Sequence, residues 1–271
     1  MSTEYSQPIN ATIPRRFLIL LAVKIIKRLR KPHGPVFSLS KQLCVKCGYL
    51  VSLSEVSTLQ FVANNTSIPV PRIHCAFRWH GRTNIVMDRL NGQMVGSRWV
   101  YRSPESRAKI LHQLAAMVEQ LRRIAAPEGT GVCNIDGGPL NDPRLPSTTN
   151  EVGPFRTIDN FHRYLRNGVE AHPEHLPEIQ QMIALQDACC SELVFTHGDL
   201  SSLNILVCGD EVVGIVDWET AGWYPSYWEY MSAWNVNSQN LFWRDEVDKF
   251  VTPMSRELEM EKIRLRYFGD V

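Results

Sequence analysis

The chain has 271 residues, 44% of them hydrophobic, with 29 basic and 28 acidic side chains for a formal charge of +1. That length and apolar content allow one large domain or two lobes with a substantial core and exclude a disordered chain, while the near-zero charge supplies no field to draw in nucleic acid. Seven cysteines without disulfide-framework spacing suit a reducing compartment, so a cytoplasmic protein is expected.

The first apolar stretch, Phe17 to Ile26, lies among Arg15, Arg16, Lys24, Lys27, Arg28 and Arg30. It is shorter than the ~18 to 20 residues of a spanning helix, so no transmembrane segment is expected. Lys27-Arg28-Leu29-Arg30-Lys31 follows where a signal peptide would place small residues. The pattern predicts an amphipathic helix packed on the first lobe, with a membrane-surface helix as the alternative. Residues 35–39 and 43–46 read as short strands around the turn Ser40-Lys41-Gln42. Cys44-Val45-Lys46-Cys47 matches C-x-x-C, but no second pair follows at zinc spacing and the adjacent Cys189-Cys190 cannot chelate normally. Ser54 is the expected N-cap of a helix carrying Val56, Leu59, Phe61 and Val62, and Ile68-Pro69-Val70-Pro71 stops it. Residues 72–77 and 83–88 read as two more strands around His80-Gly81.

From Gly92 onward the pattern is mostly helical. Ser103 caps a helix with Pro104 at its first position and a stripe of Ile110, Leu111, Leu114, Met117, Val118 and Leu121. Turn formers between Gly131 and Pro154 predict a long ordered loop, of the kind that carries function. Helices are expected from Asp159 to Leu165 and from Leu176 to Leu193, and the tail from Phe242 to Phe268 is charged and helical in pattern.

The segment His197-Gly198-Asp199-Leu200-Ser201-Ser202-Leu203-Asn204 carries the chemistry, together with a hairpin that returns Asp217. An Asp, an Asn five residues on and a second Asp after a short hairpin supply one candidate base and two oxygen ligands for magnesium in a small volume. Asp199 would accept or orient the proton of an acceptor hydroxyl, and Asn204 and Asp217 would hold the metal. His197 is expected to support the loop through hydrogen bonds.

With these motifs the chain resembles the aminoglycoside phosphotransferase and choline kinase family. The resemblance rests on the HGDLSSLN segment, Asp217, Lys46 and Glu55. Ser67 to Pro71, Ile85-Val86-Met87-Asp88, Leu121-Arg122 and Gly222 to Tyr230 look most like fungal members. It implies an α+β, two-lobed protein-kinase-like fold, with residues 1–90 as nucleotide-binding lobe and 91–271 as catalytic and substrate-binding lobe. It further implies an enzyme using ATP and Mg2+ to phosphorylate a hydroxyl of a small molecule, acting as a monomer or weak dimer. Lys46 would reach the α- and β-phosphates and Glu55 would pair with it. Backbone groups near Met87, Asp88 and Leu90 would receive adenine, as the interlobe hinge does in the family.

Departures from the pattern also matter. No G-x-G-x-x-G precedes Lys46, so only His33-Gly34-Pro35 and Ser40-Lys41-Gln42 are available to cover phosphates, and a catalytically silent binding protein is the alternative function. Ser201 stands where protein kinases place a lysine, and no activation segment follows Asp217, which argues against a protein kinase. For a choline-like acceptor, Trp218, Trp223, Tyr224, Tyr227 and Trp228 could form an aromatic cage, or they could be core. For an aminoglycoside-like polycation, Asp136, Asp142, Glu151, Asp159, Glu219 and Glu229 are scattered candidates.

Overall fold

The computed structural model describes residues 6–29, 34–147, 151–189, 191–235 and 240–269. Arg30, Lys31, His33 and Cys190, which enter the expectations above, lie outside the described residues.

One antiparallel sheet organises the N-terminal part: β1 (Val36–Ser38), β2 (Leu43–Gly48), β3 (Ile73–Trp79) and β4 (Arg82–Asp88), in the order β1-β2-β4-β3. The Ser40 hydroxyl closes the β1–β2 turn by accepting the N–H groups of Gln42 and Leu43 at 3.1 and 3.0 Å. His80 and Gly81 turn β3 into β4 with φ of 46° and 73°, the paired left-handed conformations that tight hairpins need. Cys44 lies opposite Met87 and Lys46 opposite Ile85.

Side chains alternate along a strand, so Cys44 and Lys46 point to one face of the sheet and Val45 and Cys47 to the other. The C-x-x-C is thereby split between two cores. Helix α1 (Ile13–Leu29) covers one face, burying Val23 against Phe37, Val45, Cys47, Cys75, Phe77 and Val86, as the packed-helix expectation required. Helix α2 (Ser54–Asn65) covers the other with Val56, Leu59 and Val62. A helix of this length is marginal by itself, and each buried aliphatic side chain contributes on the order of 1.5–3 kcal/mol, so packing is what holds it. Ser54 is not its cap, contrary to expectation. The helix begins at Ser54 with Leu53 at the N-cap position, and the Ser54 hydroxyl is spent on Ser52 Oγ at 2.8 Å instead of accepting an N–H of the first turn.

The C-terminal part starts with β5 (Gln93–Met94) and then α3 (Pro104–Arg122), where Ser103 caps as expected by accepting the Ser106 N–H at 3.2 Å. Beyond the long loop come α4 (Ile158–Leu165), α5 (Pro177–Asp187), β6 (Leu193–Thr196), β7 (Ile205–Cys208), β8 (Glu211–Ile215) and β9 (Gly222–Pro225). Three helices follow: α6 (Trp228–Trp234), α7 (Leu241–Val247) and α8 (Ser255–Phe268). The sheets are β5-β7-β8 and β6-β9. The helix expected to run to Leu193 stops at Asp187, because Leu193 to Thr196 pair with Pro225 to Gly222. The charged tail resolves into α7 and α8, separated by a segment containing Pro253, which has no N–H for a helix.

A continuous core joins α2 to the helical part, with Phe61 packing 5.0 Å from Phe195 and 6.1 Å from Trp223 between ring centroids. That contact sets α2 against the turn Trp218–Thr220, which follows Asp217. No helix among the described residues is long and apolar enough to cross a membrane.

Candidate functional site

Lys46 is buried on β2, and its Nζ lies 3.1 and 2.9 Å from the two carboxylate oxygens of Glu55 in the first turn of α2. The same ammonium is 2.6 Å from Asp217 Oδ1 and 2.9 Å from Glu219 Oε2. Burial works against the lysine's charge, but Glu55, Asp217 and Glu219 outweigh it and hold the group well above its ordinary value. Burial pushes Glu55 up to about 7, against the pull of Lys46. Carboxylates outnumber cations in this cluster, a balance that an added cation would improve.

Asp217 leaves β8 in the left-handed conformation, φ 64° and ψ 59°, which costs a non-glycine residue on the order of 1 kcal/mol or more. Its neighbours fix that turn: Val216 N–H donates to the Asn204 carbonyl at 2.9 Å, and Trp218 Nε1 to the Ile215 carbonyl at 2.9 Å. The Asp217 side chain is half-exposed, and the left-handed turn carries it toward Lys46.

Asn204 reaches back to Asp199, donating from Nδ2 to Oδ2 at 2.6 Å and to the carbonyl at 3.0 Å. Among the described residues no donor meets its amide oxygen. Burial raises the Asp199 carboxyl above its usual range, opposed by Arg144 and by the Asn204 hydrogen bond, with Asp217 adding to the rise. His197 is fully buried and uses both ring nitrogens. Nδ1 accepts the Asp199 N–H at 3.0 Å, and Nε2 must carry the proton because it meets the Val216 carbonyl at 3.1 Å. Burial holds this imidazole below its ordinary value, and the ring packs on Trp218 at 4.4 Å. Both nitrogens serve the loop, which is the supporting arrangement expected of it.

Three side chains fasten the loop from outside. Buried Glu229 on α6 accepts the backbone N–H groups of His197 at 2.7 Å and Gly198 at 3.0 Å. Arg144 donates to the Gly198 carbonyl and makes a two-pronged pair with buried Asp142 at 2.7 and 2.9 Å. Thr220 Oγ1 donates to the His197 carbonyl at 2.9 Å.

With this geometry in place, the profile of the family described as "APH: Phosphotransferase enzyme family" matches residues 52–258, most of the chain. The chain belongs to the phosphotransferase enzyme family. No curated protein sequence matches it. Among solved structures it is similar to a thermostable mutant of aminoglycoside phosphotransferase APH(4)-Ia in its apo form, at 13% identity and TM-score 0.58, covering 89% of this chain and 87% of that one. It is also similar to aminoglycoside-3'-phosphotransferase of type VIII, at 15% identity and TM-score 0.51, covering 91% and 99%. A third is the streptomycin-ATP-APH(2")-IIa ternary complex, at 13% identity and TM-score 0.57, covering 96% and 88%. At these identities the likeness establishes the fold, an α+β protein-kinase-like architecture with a small sheet-based lobe and a mainly helical one.

In this phosphotransferase-family chain, the remaining expected residues lie at the end of β4 and on the connector that follows it. Met87 is buried in the main core, paired across the sheet with Cys44 and Ile73. The Asp88 N–H goes to the Arg72 carbonyl at 3.0 Å and the Arg89 N–H to Gln42 at 2.7 Å, whereas no backbone carbonyl among the described residues takes the Leu90 N–H. The Asp88 side chain meets His74 Nε2 at 2.6 Å.

Of the two readings open for Trp218, Trp223, Tyr224, Tyr227 and Trp228, cage or core, the structure bears out the core, since all five are buried. Tyr224 stacks on Trp228 at 5.4 Å, His162 meets the Tyr227 hydroxyl at 2.8 Å, and Trp228 Nε1 donates to Asp142 at 3.1 Å. These rings carry a large apolar area that the lobe core absorbs. The carboxylate set for a polycation also disperses, since Asp142, Glu219 and Glu229 are committed to Arg144, Lys46 and the loop N–H groups. Glu219 therefore belongs to the lysine cluster, and the usable signal is its place two residues after Asp217. Arg144 carries no such signal, because a lone arginine in a long loop fits any role.

Proposed function

We propose that the chain transfers the γ-phosphoryl group of ATP to a hydroxyl of a small molecule. The observation that carries this reading is the convergence of Lys46, Asp217 and Glu219 within 2.9 Å, beside an Asp199 that is hydrogen-bonded to Asn204. The family and two neighbours support it, since one of these is a complex with streptomycin and ATP and another a complex with AMP-PNP and hygromycin B. In this assignment residues 1–90 form the nucleotide-binding lobe and 91–271 the catalytic and acceptor lobe. Leu90 N–H and the Asp88 carbonyl meet adenine, Met87 lies behind it, and Lys46 turns from its carboxylates to the phosphates with Glu55 holding its other side.

The donor set fits magnesium. Asn204 has an amide oxygen to give, and Asp217 uses only Oδ1 on Lys46, while a hard cation of this kind takes a few protein oxygens together with phosphate and water. Asn204 and Asp217 would hold it, with Glu219 as neighbour. When bound, the metal neutralises charge on the transferring phosphates. Asp199 orients the acceptor hydroxyl and takes its proton as the new O–P bond forms and the bond to the ADP oxygen breaks. The raised affinity of Asp199 for a proton suits that role, and the proton then passes to solvent.

Saturation with MgATP at a hundred times the dissociation constant should stabilise the protein by ~2.7 kcal/mol. Absence of any thermal shift at millimolar MgATP would sink the nucleotide reading. Asp199→Asn should keep that shift and lose turnover by on the order of 10² to 10⁴ in a metabolite-library phosphorylation screen. A shift with no turnover on any acceptor would favour the silent binding protein, the reading that the absent glycine-rich loop raises.

A further inference from the structure

The side of α1 turned away from the sheet is apolar. With Val23, Ile19, Leu20 and Ile26 packed inward, charged residues belong on the opposite side of a surface helix. Ile13, Phe17, Leu18, Leu21 and Ile25 stand there, each between 44% and 84% exposed, with only Lys24 and Arg28 among them toward the C-terminal end. Their spacing keeps them on one face along the helix. Isolated exposed leucines are ordinary, but a continuous stripe of this kind marks an interaction surface.

The charge on the same helix is one-sided. The α1 sequence holds Arg15, Arg16, Lys24, Lys27 and Arg28 and no acidic residue, although the whole chain carries only +1. Beside the C-terminal half of α1 lies a cleft of about 420 Å³ whose lining includes Lys24, Lys27, Arg82, Tyr49 and Trp79, with no carboxylate among its lining residues. The Arg82 guanidinium sits 4.5 Å from the Tyr49 ring centroid, and both Tyr49 and Trp79 are exposed. Asn84 also lines the cleft, and its buried Oδ1 finds no donor among the described residues.

We propose that this face docks on the surface of an anionic phospholipid bilayer, with the α1 stripe entering the headgroup region and the cleft receiving a phosphate-bearing headgroup. Apolar side chains bracketed by Lys and Arg are what a helix lying in the interface uses, and long cationic side chains can bury their stems while reaching phosphate. Exposed Tyr and Trp at the rim suit the same boundary, where one end of a ring is apolar and the other wet. A second copy of the chain is disfavoured, because two such faces would bring Lys24 and Arg28 of each copy together with no acid of α1 between them. A partner helix is disfavoured as well, since the stripe is a convex ridge rather than a groove.

The test is co-sedimentation of the full chain with vesicles of phosphatidylcholine alone or mixed with phosphatidylserine. Binding to the mixed vesicles should be at least about tenfold stronger and should weaken as salt rises. Phe17→Glu with Leu21→Glu should lower it by at least about tenfold, and Lys24→Gln with Arg28→Gln by several-fold, with unchanged circular-dichroism melting because these side chains are exposed. Equal sedimentation with both vesicle types, or full binding by the Phe17/Leu21 variant, would overturn the proposal. So would a dimer in analytical ultracentrifugation that the Phe17/Leu21 variant abolishes, which would assign the face to a second copy. None of these readouts depends on nucleotide, so failure here leaves the kinase reading standing.

Discussion

Glu229→Gln isolates what the α6 carboxylate does for the loop that carries Asp199. In the native chain one oxygen accepts His197 N–H at 2.7 Å and the other accepts Gly198 N–H at 3.0 Å, all within buried surroundings. Glutamine keeps one acceptor and turns an NH2 group toward the second N–H, so one hydrogen bond to a charged group is lost and a buried donor is left unmet. Each such loss is worth about 1.5–3 kcal/mol, and because the two overlap the net expectation is about 3 kcal/mol of stability. For a chain of this size that corresponds to a fall in Tm of roughly 6–9 °C. The loop also loses its fixed entry into Asp199, so kcat should drop by about tenfold or more, since misplacing a reacting group by an ångström can cost on the order of a hundredfold. Urea unfolding and steady-state kinetics with varied ATP read the two effects, with KM for ATP expected to stay put because Glu229 lies away from Lys46. A variant within about 0.5 kcal/mol of wild type, the range of an ordinary surface change, would refute the clamp.

Three more outcomes follow from the same geometry. Burial, aided by Arg166, holds the His162 imidazole down to about 4, below the 6.5 of an ordinary histidine, so the unfolded chain takes up the proton first. Stability from this group is present above pH 6.5 and is lost as pH falls toward 4, by about 3 kcal/mol in total. His162→Gln should remove that part of the acid slope in unfolding followed across pH 4 to 7, and an unchanged slope would contradict it. Lys46→Met should cost about 3–5 kcal/mol in urea unfolding by stranding buried Glu55, and Lys46→Met with Glu55→Leu should regain most of it without regaining turnover. Substantial turnover in the double variant would remove Lys46 from phosphate binding. A Cβ on Gly214 would stand 2.2 Å from Leu90 Cδ1, so Gly214→Ala should cost about 1–3 kcal/mol and raise KM for ATP more than it lowers kcat. Retention of the wild-type KM would detach Leu90 from the adenine site.

Much of the fold is legible where hydrogen bonding is local. The Ser103 cap, the His80-Gly81 turn and the β7–β8 hairpin depend on residues a few positions apart, and their chemistry leaves few alternatives. Errors arise where a distant partner decides. The helix expected to reach Leu193 loses its end to pairing with β9. In the site, Asp199 and Asn204 are legible because five residues of loop can hardly separate them, and the 2.6 Å contact agrees. Glu229 and Arg144 are not, because a glutamate in a helix and an arginine in a loop are ordinary until the chain brings the His197-Gly198 backbone to them.

By itself, the sequence determines that two carboxylates and an amide, those of Asp199, Asp217 and Asn204, share a small volume, since one loop and one short hairpin span them all. Tertiary packing alone decides that Lys46 meets Asp217, 171 positions away, and that Glu219 joins them. It also decides that the aromatics from Trp218 to Trp228 fill the core instead of caging a ligand, and that α1 leaves an apolar side uncovered. The physical reason is common to these cases. Local geometry follows from short-range dihedral and hydrogen-bond constraints carried by residue type, whereas burial depends on which distant surface arrives, and the same tryptophan or leucine serves equally well on either side of that outcome.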